Sequence, residues 1–281
     1  METQLRYRLL ALDADGTILD SRGILRPAVR DVIALVRAQG VRVVLCTGRR
    51  FRTAQPILLQ LALSGPVIVQ NGVAVKDGAT GNTLRASYVP ANAYGAALDV
   101  VSAFGPPAVY VDEGPHSDVD LVTSRGDEHH PFLSEYLEAN RAQTRFVESL
   151  AAPPSDAVAM ISAMAEHDAL RAALQRLEAA PIAGIRANLI ANKSYRGHIL
   201  ELVSADTGKW RRLLELAQSD GIDADEIVAI GDDANDREMI ENAGLGIAMG
   251  NSIAVLREVA DHVAPSNDDD GAAHAIRTFL L

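Results

Sequence analysis

A single cysteine, Cys46, stands in 281 residues, so the chain can form neither an intramolecular disulfide nor a cysteine-based zinc site. Positive charge is also scarce. Lys and Arg total 26 against 37 Asp and Glu, a formal net charge of −11. Nucleic acids are held by clustered cations that neutralise phosphates, so this balance excludes a nucleic-acid backbone as the main partner, and it disfavours docking on anionic membranes. The N-terminal METQLRYRLLALDADG holds an apolar run too short, and too soon followed by acids, for a signal peptide or a membrane span. Internal repeats and low-complexity tracts are lacking. These absences predict a soluble, cytoplasmic protein. What is present is ordinary globular material, with 48% apolar and 22% charged residues, too apolar for disorder. The length suits roughly two domains at about 150 residues each.

The chain opens with a βαβ rhythm. Residues 8 to 12 form an apolar run that ends at Asp13, the pattern of a strand buried on both faces of a parallel sheet. Pro27 opens a helix whose apolar residues Val29, Val32, Ile33 and Val36 follow helical spacing, and Gly40 is placed to cap it. VRVVLC at 41 to 46 is a second strand, 52 to 63 a helix, and PVIVQNG at 66 to 72 a strand with a turn. From about 84 the rhythm breaks. Helices are expected near 91 to 104 and 166 to 179, and strands near 108 to 112, 144 to 148 and 156 to 164, an α+β insertion. Alternation resumes with HILELV at 198 to 203, a helix from Lys209, a strand EIVAIGDD at 226 to 233, a helix to Gly244, a strand LGIAMG and a helix SIAVLREVA. The expected organisation is therefore a discontinuous α/β core, residues 1–84 and 196–281, with an inserted domain over 85–195.

Open α/β sheets bind ligands beyond the carboxyl ends of their strands. Polar segments follow three of the predicted strands: DADGT at 13 to 17, TGR at 47 to 49 and GDDAND at 231 to 236, with an isolated Lys209 at a helix start. Asp13 and Asp15, two apart, would point to one side of an extended segment. Joined by a third carboxylate from Asp232 or Asp236, they make a hard oxygen site suited to Mg²⁺. A carboxylate can also attack phosphorus to give an aspartyl-phosphate. Gly16 allows a sharp turn with exposed N–H groups, and Thr47 and Lys209 supply a hydroxyl and a cation for a transferring phosphoryl group.

This ordered set, DADGT, TGR, a lone Lys and GDDAND, resembles the haloacid dehalogenase superfamily, specifically its Cof-type phosphatases, in which a type IIB cap is inserted after the second motif. The resemblance runs over the whole chain, including Asn71-Gly72, AMGN at 248 to 251 and the SNDDDGAAHAI tail. It implies a Rossmann-like parallel-sheet core with an α+β cap. Asp13 is then nucleophile and Mg²⁺ ligand, and Asp15 is general acid and base with its backbone carbonyl on the metal. Asp232 completes the metal site. Ala14, Thr47, Gly48, Lys209 and Asn235 hold the phosphate, and Asp236 orients Lys209. One departure is Ala14, a position often occupied by Leu; if its backbone N–H is what counts, the change matters little.

Other motifs are weaker. TGKW at 207 to 210 lacks the glycine and the Ser or Thr of a nucleotide-binding loop. Cys46 reads as a buried strand residue, and Asn192-Lys193-Ser194 as a glycosylation acceptor without meaning in the cytoplasm. His116, His129 and His130 read as surface loop residues, whereas Lys193, Tyr195 and Arg196, near the return to the core, are candidates for substrate contact. The expected activity is Mg²⁺-dependent hydrolysis of small phosphate monoesters, sugar phosphates or related metabolites. The alternatives are a phosphomannomutase-like phosphosugar mutase and a non-catalytic binder of phosphorylated metabolites. No heptad or interface pattern indicates an oligomeric state.

Overall fold

In the computed structural model, which describes residues 6–191 and 196–281, the chain divides into two compact units, Met1–Ala86 with Thr207–Leu281, and Ser87–Asp206. The first unit begins with β1 (Leu9–Leu12), α1 (Pro27–Ala38), β2 (Arg42–Leu45), α2 (Phe51–Gln60), β3 (Pro66–Val69), β4 (Ala74–Asp77) and β5 (Thr83–Ala86). The α1 spacing is realised as expected. Pro27 stands in the first turn, where its missing N–H costs nothing, and Val29, Val32, Ile33 and Val36 are the buried face. Beyond β3, three successive residues, Gln70, Asn71 and Gly72, adopt positive φ, which turns the chain back antiparallel into β4.

The inserted unit contains α3 (Ala91–Ser102), β6 (Pro107–Val111), β7 (Leu121–Ser124), α4 (Ser134–Ala139), β8 (Thr144–Val147), β9 (Val158–Ala165), α5 (His167–Ala179), β10 (Ile185–Ala191) and β11 (His198–Ser204). Its sheet runs in the order β10-β11-β9-β6-β7-β8. Leu200 and Leu202 of β11 pack with Leu98 and Val101 of α3 and with Leu170 and Ala173 of α5. Side chains alternate along a strand, so Glu201 is turned to the opposite face. The strand at 198–204 corrects the sequence reading, which assigned HILELV to the core. Its seven residues pair antiparallel with β10, and it also pairs antiparallel with β9, so the chain returns to the core at Thr207 rather than at 196. An apolar strand reads alike whichever sheet receives it. α4, β7 and β10 were not expected from the sequence.

After the return come α6 (Lys209–Ser219), β12 (Ile227–Gly231), α7 (Arg237–Asn242), β13 (Leu245–Ala248), α8 (Ala254–Val259), β14 (His262–Val263) and α9 (Gly271–Leu280). The core sheet has the order β14-β13-β12-β1-β2 and is parallel throughout. Helices cover both faces. Leu10 and Leu12 of β1 pack with residues of α1 and α9, while Leu9 and Ala11 pack with residues of α6, α7 and α8. That double burial is why the strand reads as a continuous apolar run rather than an alternation. This is the α/β class expected. No helix among the described residues is long and apolar enough to cross a membrane.

Glu201 lies buried in the inserted sheet, with a measurable consequence. Burial pushes its carboxyl up to about 7, with Arg186 and a hydrogen bond from Asn188 opposing the shift. A carboxyl that holds its proton more tightly when folded stabilises the fold below its ordinary value of 4.5, and that contribution is lost as pH rises through 7. The wild type should therefore lose about 3 kcal/mol relative to Glu201→Gln between pH 4.5 and 7.5, read from urea unfolding at each pH. Parallel stability profiles for the two proteins would refute it.

Candidate active site

The order β12-β1-β2 brings three strand ends side by side. Register pairs Leu12 with Ile230 on one flank and with Leu45 on the other, so the residues just beyond them, Asp13, Asp232 and Thr47, emerge at one edge of the sheet. Backbone bonds continue past the strands: Asp13 N–H donates to the Ile230 carbonyl at 3.0 Å, Cys46 N–H to Leu12 at 2.8 Å and Thr47 N–H to Ile68 at 2.9 Å. The next turn winds around Ala14, whose carbonyl accepts from the N–H groups of Thr17, Ile18 and Leu19. Gly16 is required there twice. Its φ is +80°, and a Cβ would stand 2.2 Å from Asp232 Oδ2.

Lys209 lies at the centre. Buried at the start of α6, it donates from Nζ to Asp13 Oδ1 at 2.6 Å and to Asp236 Oδ1 at 2.7 Å. The other Asp236 oxygen accepts from the N–H groups of Asp232 and Asp233 at 3.0 and 3.2 Å. Asp236 therefore fixes both the lysine and the backbone of the third acidic loop. Asp232 Oδ1 accepts from the Thr17 hydroxyl at 3.2 Å. Burial first, then the neighbouring Asp236 carboxylate, pushes the Asp13 carboxyl well above the usual range, with Lys209 pulling the other way. For Lys209, burial alone would lower the pKa, but the two carboxylates outweigh it and hold the ammonium charged.

Asp13, Asp232 and Asp236 each present a carboxylate oxygen within 4.8 Å of the others, and all three are buried. Burial resists ionising all three at once, and with one ammonium they would carry a net charge of about −2 when ionised, which a divalent cation would balance. The donors are all hard oxygens, so the residues present fit a Mg²⁺-like ion.

The remaining predicted residues divide into three groups. Asn235 is near the centre, its Nδ2 donating to Asn71 Oδ1 at 2.8 Å, and a Cβ on Gly48 would stand 2.9 Å from that same oxygen. Asp15 departs from the extended geometry expected of it. Its carboxylate does not join that of Asp13 but is gripped by Arg49, Nε to Oδ2 at 2.7 Å and Nη2 to Oδ1 at 2.6 Å, because the chain after Asp13 turns rather than extending. In the inserted unit, Arg196 lies 4.9 Å from the Phe132 ring centroid and pairs with Glu166 at 3.4 Å, whereas Lys193 and Tyr195 fall outside the described residues. Cys46 is buried, and burial pushes its thiol up, away from a thiolate role.

Sequence reasoning passed over Arg49, Asn71, Asn251 and Asn267 as site residues. Asn251 donates to the Gly16 carbonyl at 2.8 Å and accepts from the Asn267 N–H at 2.9 Å, and Asn267 in turn donates to the Leu19 carbonyl at 2.9 Å. This chain of amides ties the loop after β1 to the C-terminal segment. Their traces in sequence are the Arg that closes TGR, the Asn of Asn71-Gly72, and the Asn residues that close AMGN and open NDDDG.

A parallel core covered on both faces, with acidic loops gathered at the carboxyl ends of its central strands, defines a Rossmann-like α/β protein with a carboxylate site. The haloacid dehalogenase-like hydrolase family matches residues 10–276, and the chain belongs to it. Among its relatives, the 5-amino-6-(5-phospho-D-ribitylamino)uracil phosphatase YwtE of Bacillus subtilis (strain 168) is 28% identical, covering 97% of this chain and 98% of its own. The pyridoxal phosphate phosphatase YbhA of Escherichia coli (strain K12) is 26% identical, with 98% and 99% covered. A solved haloacid dehalogenase-like hydrolase from Bacteroides thetaiotaomicron shares the fold with a TM-score of 0.79 at 24% identity, covering 97% of this chain and 99% of that one.

Lys209→Met should lower stability by about 3 kcal/mol in urea unfolding near neutral pH, since it leaves Asp13 and Asp236 buried without their cation. Adding Asp236→Asn should recover part of that loss. A single variant as stable as the wild type would show that the lysine does not offset these charges.

Proposed function

We propose that this hydrolase is a metal-dependent phosphatase of small phosphorylated metabolites, sugar phosphates among them, acting through Asp13 in the cytoplasm. The observation that carries the reading is the buried Asp13 carboxylate, oriented by Lys209 beside Asp232. A binder alone has no use for a nucleophile held in this way, and the burial of three acids for no function would be costly. The relatives named above act on a phosphoribitylamino-uracil and on pyridoxal phosphate. Both are small phosphorylated metabolites, which supports the substrate class.

Asp13 and Asp232, with the Asp15 carbonyl, would hold the ion, since both Asp236 oxygens serve Lys209 and the backbone. When bound, a divalent cation supplies charge neutralisation for the carboxylates and the phosphoryl oxygens. The protein's own groups carry the steps. The Asp13 oxygen attacks phosphorus, the bond from phosphorus to the ester oxygen breaks, and the proton of Asp15 passes to that oxygen as the alcohol leaves. Lys209, Thr47, Asn235 and the amides of Ala14 and Gly48 hold the phosphoryl oxygens through the transfer. A water then attacks the aspartyl-phosphate, Asp15 takes its proton, and cleavage from Asp13 releases inorganic phosphate. The inserted unit is assigned the choice of leaving group, with Lys193, Tyr195 and Arg196 as its candidate contacts.

Phosphate release from a metabolite panel, with Mg²⁺ and with chelator, tests the reading. The wild type should release phosphate only with metal, and Asp13→Asn should lose more than about 10³-fold in kcat while keeping the wild-type circular dichroism. Turnover surviving in Asp13→Asn would remove Asp13 as nucleophile. Phosphate moved within a sugar rather than released would make the enzyme a mutase.

A further inference from the structure

Arg49 closes the TGR motif, and nothing in the reaction above uses it. Its guanidinium makes a two-point fork on Asp15, and its remaining arm donates from Nη1 to the Thr53 carbonyl at 3.2 Å, in the first turn of α2. The backbone of Arg49 is held as firmly. Its N–H donates to the Thr47 hydroxyl at 3.1 Å, and its carbonyl accepts from the Gln70 N–H at 2.9 Å. The arginine is thus anchored to the loop that carries Thr47 and to the helix that follows. Among the described residues, the Asp15 side chain makes no hydrogen bond other than those from Arg49. It is 55% exposed, and left alone it would exchange among rotamers.

A two-point fork is the geometry in which an exposed ion pair does stabilise, and it also does something a looser pair does not. A planar guanidinium bound through two N–H groups sets the plane and direction of a carboxylate, which a lysine cannot do. Proton transfer to a leaving oxygen needs that direction, because a donor acts only within hydrogen-bond reach and alignment. We propose that Arg49 is a positioning residue that sets the orientation of the Asp15 carboxyl toward the leaving group. The inference rests on the phosphatase reading and on Asp15 as its proton donor.

The test separates the leaving group's need for a proton from everything else, by comparing phenyl phosphate with p-nitrophenyl phosphate. The two esters are close in shape, but the electron-poor nitrophenoxide departs without much protonation whereas the phenoxide does not. In Arg49→Ala the ratio of kcat/KM for phenyl over p-nitrophenyl phosphate should fall about tenfold or more, and Arg49→Lys, which keeps the charge without the fork, should fall with it. Asp15→Asn should lower the ratio as well, and adding Arg49→Ala to it should lower the ratio no further, as expected of two residues acting through one. An unmoved ratio in Arg49→Ala, a wild-type ratio in Arg49→Lys, or a double variant that falls by the product of the two would each overturn the positioning role. A wild type that releases phosphate from neither ester with Mg²⁺ would instead sink the phosphatase reading itself, and this role with it.

Discussion

The ammonium of Lys209, buried between Asp13 and Asp236, is the contact on which the rest of the site depends. It joins the loop after β1 to the loop after β12 across the core sheet, with 196 residues separating Asp13 from Lys209 in sequence. Buried like charges repel strongly, and burial raises the cost of each one. Without the lysine, Asp13 could not remain near Asp232 and Asp236 as a carboxylate. The same contact fixes Asp13, since Lys209 takes its Oδ1. Asp236 extends the arrangement by accepting two backbone N–H groups, so the charge network and the loop backbone define each other.

Close approach is the second constraint. A Cβ on Gly16 would fall 2.2 Å from Asp232, and a Cβ on Gly231 would fall 2.5 Å from Asp236. A third glycine, Gly72, lets the turn after β3 lie against the backbone of Gly208 just before Lys209, where a Cβ would be 2.3 Å from a carbonyl oxygen. Arg212, one turn further along α6, donates to the Gly72 carbonyl at 3.2 Å and locks that approach. Separate loops can bring their carboxylates together only because small residues stand between them. The amide relay from Asn251 and Asn267 holds the first of these loops from outside, where the sheet itself no longer reaches.

The two units are stabilised in different ways. In the core, a parallel sheet covered by helices on both faces makes the central strands β1 and β12 wholly apolar and leaves polar groups to the loops beyond them. In the inserted unit, α3 and α5 pack with one set of alternating strand residues, and the other set can carry polar side chains such as Glu201, Arg186 and Asn188. The carboxylate cluster of Asp13, Asp232 and Asp236 lies wholly in the core.

The sequence by itself determined the class of fold, the family and the motifs of the site. Apolar runs ending in Asp13, Cys46 and Gly231 identify the strand ends, and short acidic or hydroxyl motifs after them need only local spacing to be recognised. Lys209 could be singled out because it opens a helix at the right point of the alternation. Only the tertiary structure decided the partners. The sheet that receives residues 198–204 is set by pairing with β9 and β10, and an apolar strand carries no mark of its neighbours. The fork of Arg49 on Asp15 likewise arises from how two loops 34 residues apart turn toward each other. Local sequence specifies which residues can form a turn or a strand, whereas the pairing of distant charges follows from packing the whole sheet, a cooperative outcome that no short motif contains.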